Sequence, residues 1–164
     1  MKKLTNLLII LYIAISANAQ TYDPLAVQRI NDLIENNGLD ATPDAPETWT
    51  FAIWNNEEPK QIRDLHLDNR NLTGAVSFEG LSTLELLFIF ENFLTELNVS
   101  NCINLEMLRC YANNLTALDL SNCTELFSLN CCKNQLINLN LNTNLKLVGL
   151  TCHENNLTEL VVRS

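Results

Sequence analysis

The chain has 164 residues, 47% of them hydrophobic and 18% charged, with 10 Lys and Arg against 19 Asp and Glu. That length and balance fit one domain with a packed core and exclude wholesale disorder. The formal charge of −9 argues against a nucleic-acid partner, which needs clustered Lys and Arg, and six Cys fall well short of a disulfide-dense framework.

Residues 1–19 read as a secretory signal peptide. Lys2 and Lys3 form a positive start, Leu7 to Ile15 is apolar, and Ala17-Asn18-Ala19 is a small-x-small cleavage site. The apolar run is short for a membrane span, and no second long one follows. The expected product begins near Gln20 and is secreted, held at the cell surface or periplasmic, with no membrane span after cleavage.

Residues 20–61 read as an N-terminal helical cap. The segment 23–36 has the features of a helix: Asp23 as N-cap, Pro24 at the first helical position and Gly38 as C-cap. Val27, Ile30 and Ile34 fall on one stripe with Leu33 beside it. A loop over 41–46 follows, and Trp49, Phe51 and Trp54 are expected to pack on what comes next.

From Leu84 onward the chain repeats every 21 residues. Leu84, Leu105, Leu126 and Leu147 start four units. Leu87, Leu108, Leu129 and Leu150 hold the fourth position, and Ile89, Cys110, Cys131 and Cys152 the sixth. Asn92, Asn113, Asn134 and Asn155 hold the ninth, followed by Leu at the eleventh and fourteenth and Val or Leu at the sixteenth. A looser copy precedes them, with Arg70 in place of the Asn. The units are 62–83, 84–104, 105–125, 126–146 and an incomplete 147–164. Apolar residues recurring at one position in each unit imply a solenoid with one coil per repeat. Alternation in Leu108-Arg109-Cys110 predicts a short strand in each coil, stacked about 4.8 Å from the next in a parallel ladder. Asn92, Asn113, Asn134 and Asn155, with the inward Cys110, Cys131 and Cys152, form the structural ladder, the amides bonding the turn backbone.

The unit LxxLx(C/I)xxNxL resembles the highly conserved half of a leucine-rich repeat. Its second half, as in Leu115-Thr116-Ala117-Leu118-Asp119-Leu120, repeats the same rhythm. That nesting resembles the 21-residue bacterial class called IRREKO repeats. Trp49, Trp54-Asn55 and Asn71-Leu72-Thr73-Gly74 resemble the flank and first repeat of secreted leucine-rich repeat proteins. The expected fold is an α/β repeat solenoid with a short parallel ladder, a mostly irregular convex side and the small helical cap.

Few residues suggest chemistry. Buried thiols are expected at Cys110, Cys131 and Cys152, whereas Cys102 and Cys123 stack in a turn with thiol and disulfide both open. Cys132 and His153 are expected to be exposed neighbours, too few to hold zinc, so no metal or cofactor is expected. Asp64, His66 and Asp68 read as a polar outward triplet on the first strand. No base, nucleophile and oxyanion donor assemble, so no enzymatic activity is expected.

The third, fifth and seventh positions of each unit should line the concave face. Leu86, Phe88, Phe90, Met107 and Tyr111 are expected to form an exposed apolar patch around Arg109, continued by Asn130, Cys132, Thr151 and His153. The resemblance implies recognition of a protein or a cell-surface glycan on that face. An alternative is a structural or targeting segment of a larger secreted protein, truncated at Ser164. The final coil lacks an evident cap, which leaves end-to-end self-association open.

Overall fold

The computed structural model describes residues 21–162. The proposed signal peptide and its cleavage site, together with Arg163 and Ser164, lie outside the described residues.

Helix α1 spans Pro24–Asn37. The Asp23 carboxylate accepts from the Leu25 and Ala26 amides at 3.3 and 3.4 Å, which satisfies two orphan donors of the first turn. Gly38 takes φ 81°, and its N–H donates to the Leu33 carbonyl. The buried stripe is Ala26, Ile30 and Leu33, whereas Val27 and Ile34 are half-buried at its margins. The small Ala26 thus faces the solenoid in place of Val27. At the helix end, the Asn37 amide donates to the Thr73 and Ala75 carbonyls at 2.6 and 2.9 Å and caps the first coil. Gly80 sits at φ 82°, where an added Cβ would stand 3.2 Å from Leu25, so both conformation and space favour glycine there.

A short 3₁₀ turn at Pro46–Thr48 leads into the ten strands found among the described residues. They are β1 Ala52–Trp54, β2 Ile62–His66, β3 Thr73–Ser77, β4 Leu86–Phe88, β5 Phe93–Asn98, β6 Met107–Arg109, β7 Ser128–Asn130, β8 Asn138–Asn140, β9 Gly149–Thr151 and β10 Glu159–Val161. The concave sheet runs β1-β2-β4-β6-β7-β9. Its parallel register is regular, with Leu65, Leu87, Leu108, Leu129 and Leu150 side by side. β1 is the exception: it runs antiparallel to β2, with a bulge between Ile53 and Trp54. The convex side is more ordered than expected, because β3 pairs with β5 and β8 with β10 in two short parallel ladders. The second half of the unit alternates apolar and polar residues like the first, so it too can form strand.

Each coil adds one layer to a single core. Leu84, Leu105 and Leu126 are fully buried, as are Leu87, Leu108, Ile89, Cys110 and Cys131. Trp49 and Phe51 of the cap stack at 6.2 Å and close the first layer. In the final coil Leu147, Leu150, Cys152 and Leu157 are only half-buried, while Leu160 and Val162 are 44% and 55% exposed.

The ninth-position Asn holds adjacent coils together. Asn113 Nδ2 donates to the Ile89 carbonyl of the preceding coil at 3.0 Å and to the Cys110 carbonyl of its own at 3.2 Å. Its Oδ1 accepts from the Leu94 amide at 3.0 Å. Asn92, Asn134 and Asn155 repeat the arrangement. A second set of bonds runs through the nineteenth position. Cys102 Sγ donates to the Phe78 carbonyl at 3.2 Å, Cys123 Sγ to Val99 at 3.7 Å, and Asn144 Nδ2 to Leu120 at 3.0 Å. In the first coil Arg70 replaces the Asn and its guanidinium lies 5.0 Å from the centre of the Phe51 ring.

Substituting Asn113→Ala leaves a buried amide and buried carbonyls without this partner. We expect a loss of about 3 kcal/mol of unfolding free energy in urea titration. Asn155→Ala, in the half-buried final coil, should lose visibly less. Equal losses at the two sites would refute a burial-dependent ladder.

Candidate recognition surface on the concave strands

Inward Leu and Cys side chains force the alternate residues of each short strand onto the opposite face. Three rows of side chains therefore cross the sheet. One row is Asp64, Leu86, Met107, Ser128 and Gly149, and the next is His66, Phe88, Arg109, Asn130 and Thr151. Past the strand ends, the bonds from Asn69 to Phe90, Glu91 to Tyr111, Ala112 to Cys132 and Lys133 to His153 carry the register into a third row. That row holds Asp68, Phe90, Tyr111, Cys132 and His153. The scaffold thus brings the sequence-predicted residues onto one surface.

Their exposure differs from expectation. Leu86, Phe88, Phe90, Met107 and Tyr111 are half-buried rather than an open apolar patch. Among the described residues the rings cover one another. The His66 ring meets Phe88 edge-on at 4.9 Å, and the Arg109 guanidinium lies 5.0 Å from the centre of the Phe88 ring. Phe90 and Tyr111 stack at 4.4 Å with their planes 9° apart. Side chains rising from neighbouring strands about 4.8 Å apart are held at stacking distance. Arg109 itself is exposed and forms no ion pair or side-chain hydrogen bond among the described residues. Burial and the nearby Glu91 carboxylate push the Tyr111 phenol up, so it keeps its proton and can donate at neutral pH.

Two further expectations need correction. Asp64 is 3% exposed, not part of an open polar triplet. Strand β1 flanks it, and Arg63 grips both carboxylate oxygens at 3.1 and 3.0 Å. Cys132 is 6% exposed, because it lies in a row between Tyr111 and His153. His153 alone of that pair is exposed, 3.5 Å from the Glu154 carboxylate. Among the described residues no group of three or more His, Cys, Asp or Glu side chains is placed to hold a metal. His66 and His153 sit on the first and last coils, too far apart to cooperate in catalysis.

All six Cys are free thiols. Burial pushes Cys102 and Cys131 up to about 12 and Cys123 to about 11, and Cys110 well above its ordinary value. They behave as small hydrophobes.

More exposed apolar side chains lie elsewhere. Phe127, Leu145 and Val148 are 53%, 66% and 77% exposed on the flank where the chain enters the strands, and Ile103 is 48% exposed on the same edge. The signal was in the sequence: the second position of the unit is Glu85 and Glu106 in two coils, then Phe127 and Val148. Two shallow convex grooves of about 320 and 500 Å³ run along Asn98, Asp119 and Asn140.

Folded thiols that hold their protons set a pH dependence. Between the ordinary thiol value of 9.0 and about 12 the native chain binds more protons than the unfolded one. Stability is therefore intact below pH 9 and lost progressively above it. Urea midpoints measured from pH 7 to 11 should be level and then fall. At pH 8, a thiol reagent should label the half-buried Cys152 first and Cys110 only on unfolding.

No protein-family model matches the chain, and no curated protein matches it. Among solved structures, the LRR ectodomain of the receptor kinase SOBIR1 from Arabidopsis thaliana is similar, with a TM-score of 0.53 at 14% identity. The match covers 88% of this chain and 100% of that one. At that identity the likeness concerns architecture alone: the chain folds as a leucine-rich-repeat-type solenoid with a small helical cap at one end.

Proposed function

We propose that the chain is a non-catalytic, exported leucine-rich repeat protein that recognises a protein partner on its concave face. The observation that carries this is the division of labour within each unit. Inward positions repeat from coil to coil, whereas the outward rows change in every coil. A packed scaffold does not require Arg109 on Phe88 or Tyr111 on Phe90. An unpaired, pre-positioned guanidinium among half-buried rings has the composition of an interface anchor. The face is formed by Leu86, Phe88, Phe90, Met107, Arg109 and Tyr111, with Asn130, Cys132, Thr151 and His153 beside them.

A glycan is the second reading: Phe88, Phe90 and Tyr111 each have one ring face covered by a neighbour, which leaves at most one face per ring for stacking a sugar. Export rests on the leader-like segment at 1–19; among the described residues no helix is long and apolar enough to cross a membrane. A bacterial source and the nested 21-residue repeat class rest on the unit itself. We assign residues 20–61 to the cap and 62–164 to the repeats.

The test is selection of binders from a displayed library of proteins exported by the source organism. Arg109→Ala should weaken the selected complex by roughly 10- to 100-fold. Its melting temperature should stay within about 2 °C, since surface changes of this kind rarely move stability. The double change Phe88→Ser, Phe90→Ser should abolish binding and also destabilise, because both rings are half-buried. Binders that tolerate all three changes would place recognition on another surface.

A further inference from the structure

The concave floor is electrostatically unlike the rest of the chain. The protein carries 19 Asp and Glu against 10 Lys and Arg. Yet in the second to fifth coils the three outward rows hold no carboxylate, and Arg109 is their one Lys or Arg. The first coil adds Asp64 and Asp68 to those rows. Asp64 is already engaged, since it is 3% exposed and Arg63 holds both of its oxygens.

Arg109 presents its charge outward instead of neutralising it within the fold. The guanidinium lies 5.0 Å from the centre of the Phe88 ring and forms no ion pair or side-chain hydrogen bond among the described residues. Of its neighbours in the rows, Phe88 and Met107 are apolar, whereas Asn130 and Tyr111 offer donors. Asn130 Oδ1 already accepts from the Cys132 amide at 3.2 Å, so its NH₂ group is what remains to offer. The Tyr111 phenol keeps its proton. Carboxylates return at the margins. Exposed Glu106 stands three residues before Arg109, and exposed Glu91 stands level with the far end of that strand, where its amide donates to the Tyr111 carbonyl. At the rise of a strand, each margin is about 10 Å from the Arg109 row.

Taking the concave face as the recognition surface, on which this rests, we propose that it receives a protein segment placing a single Asp or Glu side chain on Arg109, with basic residues about 10 Å to either side. A planar guanidinium already laid on a ring pairs best with a planar carboxylate, through two parallel hydrogen bonds. Phe88 and Met107 beside it keep water away once a partner is seated, which strengthens the pair. The site matches one negative charge. A phosphoryl group carries nearly two, and the second would meet Asp68 and Glu91 with no further cation in the rows. The acidic margins likewise repel an acid-rich segment and attract Lys or Arg. Minus, plus, minus across the face is met by plus, minus, plus on the partner.

The probe is a displayed library of random linear peptides, panned on the immobilised chain. The tightest binders are then resynthesised with free and with amidated C-termini. Each should contain one acidic position whose replacement by the matching amide weakens binding roughly tenfold or more. The same replacement should cost little against Arg109→Gln, a surface change that leaves the fold intact. Arg109→Glu should reject the acidic peptide and accept its counterpart with Lys at that position. Glu91→Gln should weaken binders that carry Lys or Arg beside the acid by about threefold, as expected of an exposed charge pair. Peptides that depend on Phe88 and Phe90 but contain no acid coupled to Arg109 would overturn this proposal and leave the concave face standing as the recognition surface. So would binding that needs the free C-terminal carboxylate in place of an internal acid. Peptides indifferent to Arg109 and to both rings, or a library without any Arg109-dependent binder, would remove the charge pattern and count against the concave face itself.

Discussion

Stacking flat coils creates one demand above all others: every turn buries backbone groups that strand pairing does not reach. An orphaned buried amide or carbonyl costs about as much as several apolar contacts return. The ninth-position Asn resolves this with the one side chain that carries both a donor pair and an acceptor on a short stem. Its amide nitrogen ties two carbonyls from adjacent coils, and its oxygen takes the amide two residues further along the preceding unit. An Asp lacks the donors, and a Gln is longer by a methylene. The ladder thereby fixes the rise between coils, and the rise in turn fixes how the outward side chains meet.

That dependence explains the concave face. Rings on neighbouring strands have only the coil spacing between them, which brings Phe90 and Tyr111 to stacking distance. The same spacing places Arg109 over Phe88 and His66 against its other side. Mutual stacking half-buries side chains that a residue-by-residue reading leaves open to solvent. It also restrains them before any partner arrives, which lowers the ordering entropy that binding must overcome.

Much of the architecture was legible because a 21-residue period tests itself at every position. The Leu, Cys and Asn columns follow from alignment alone, and so does α1, whose cap residues Asp23 and Gly38 stand where the helix begins and ends. What escaped were contacts between parts with different rules. Asp64 looks outward by alternation and is nevertheless enclosed, because β1 comes from outside the repeat and pairs where no repeat residue could. Cys132 is outward by position but enclosed by its row neighbours, whose size is set by other coils. The helix face turned inward at Ala26 rather than Val27, a choice made by the fit against the first coil. The flank of Phe127, Leu145 and Val148 was readable in principle, since Glu gives way to apolar residues at one position, but that position carries no alternation signal.

The Asn ladder is directional, and that has a consequence for the ends. Each Asn reaches backward, so a coil is completed by the one that follows it. The Leu94 amide is satisfied by Asn113 and the Leu136 amide by Asn155, both from the next unit. The first coil needs no special residue for this, which is why Arg70 can replace Asn there and turn instead to the Phe51 ring. The cap has to supply only what lies behind the first coil, and Asn37 of α1 does so for the convex strand by donating to Thr73 and Ala75. Asn155 of the fifth coil likewise looks back, accepting from the Leu136 amide and donating to the Cys131 carbonyl. Polarity of the repeat, rather than any single exposed side chain, is what makes the two ends chemically unequal.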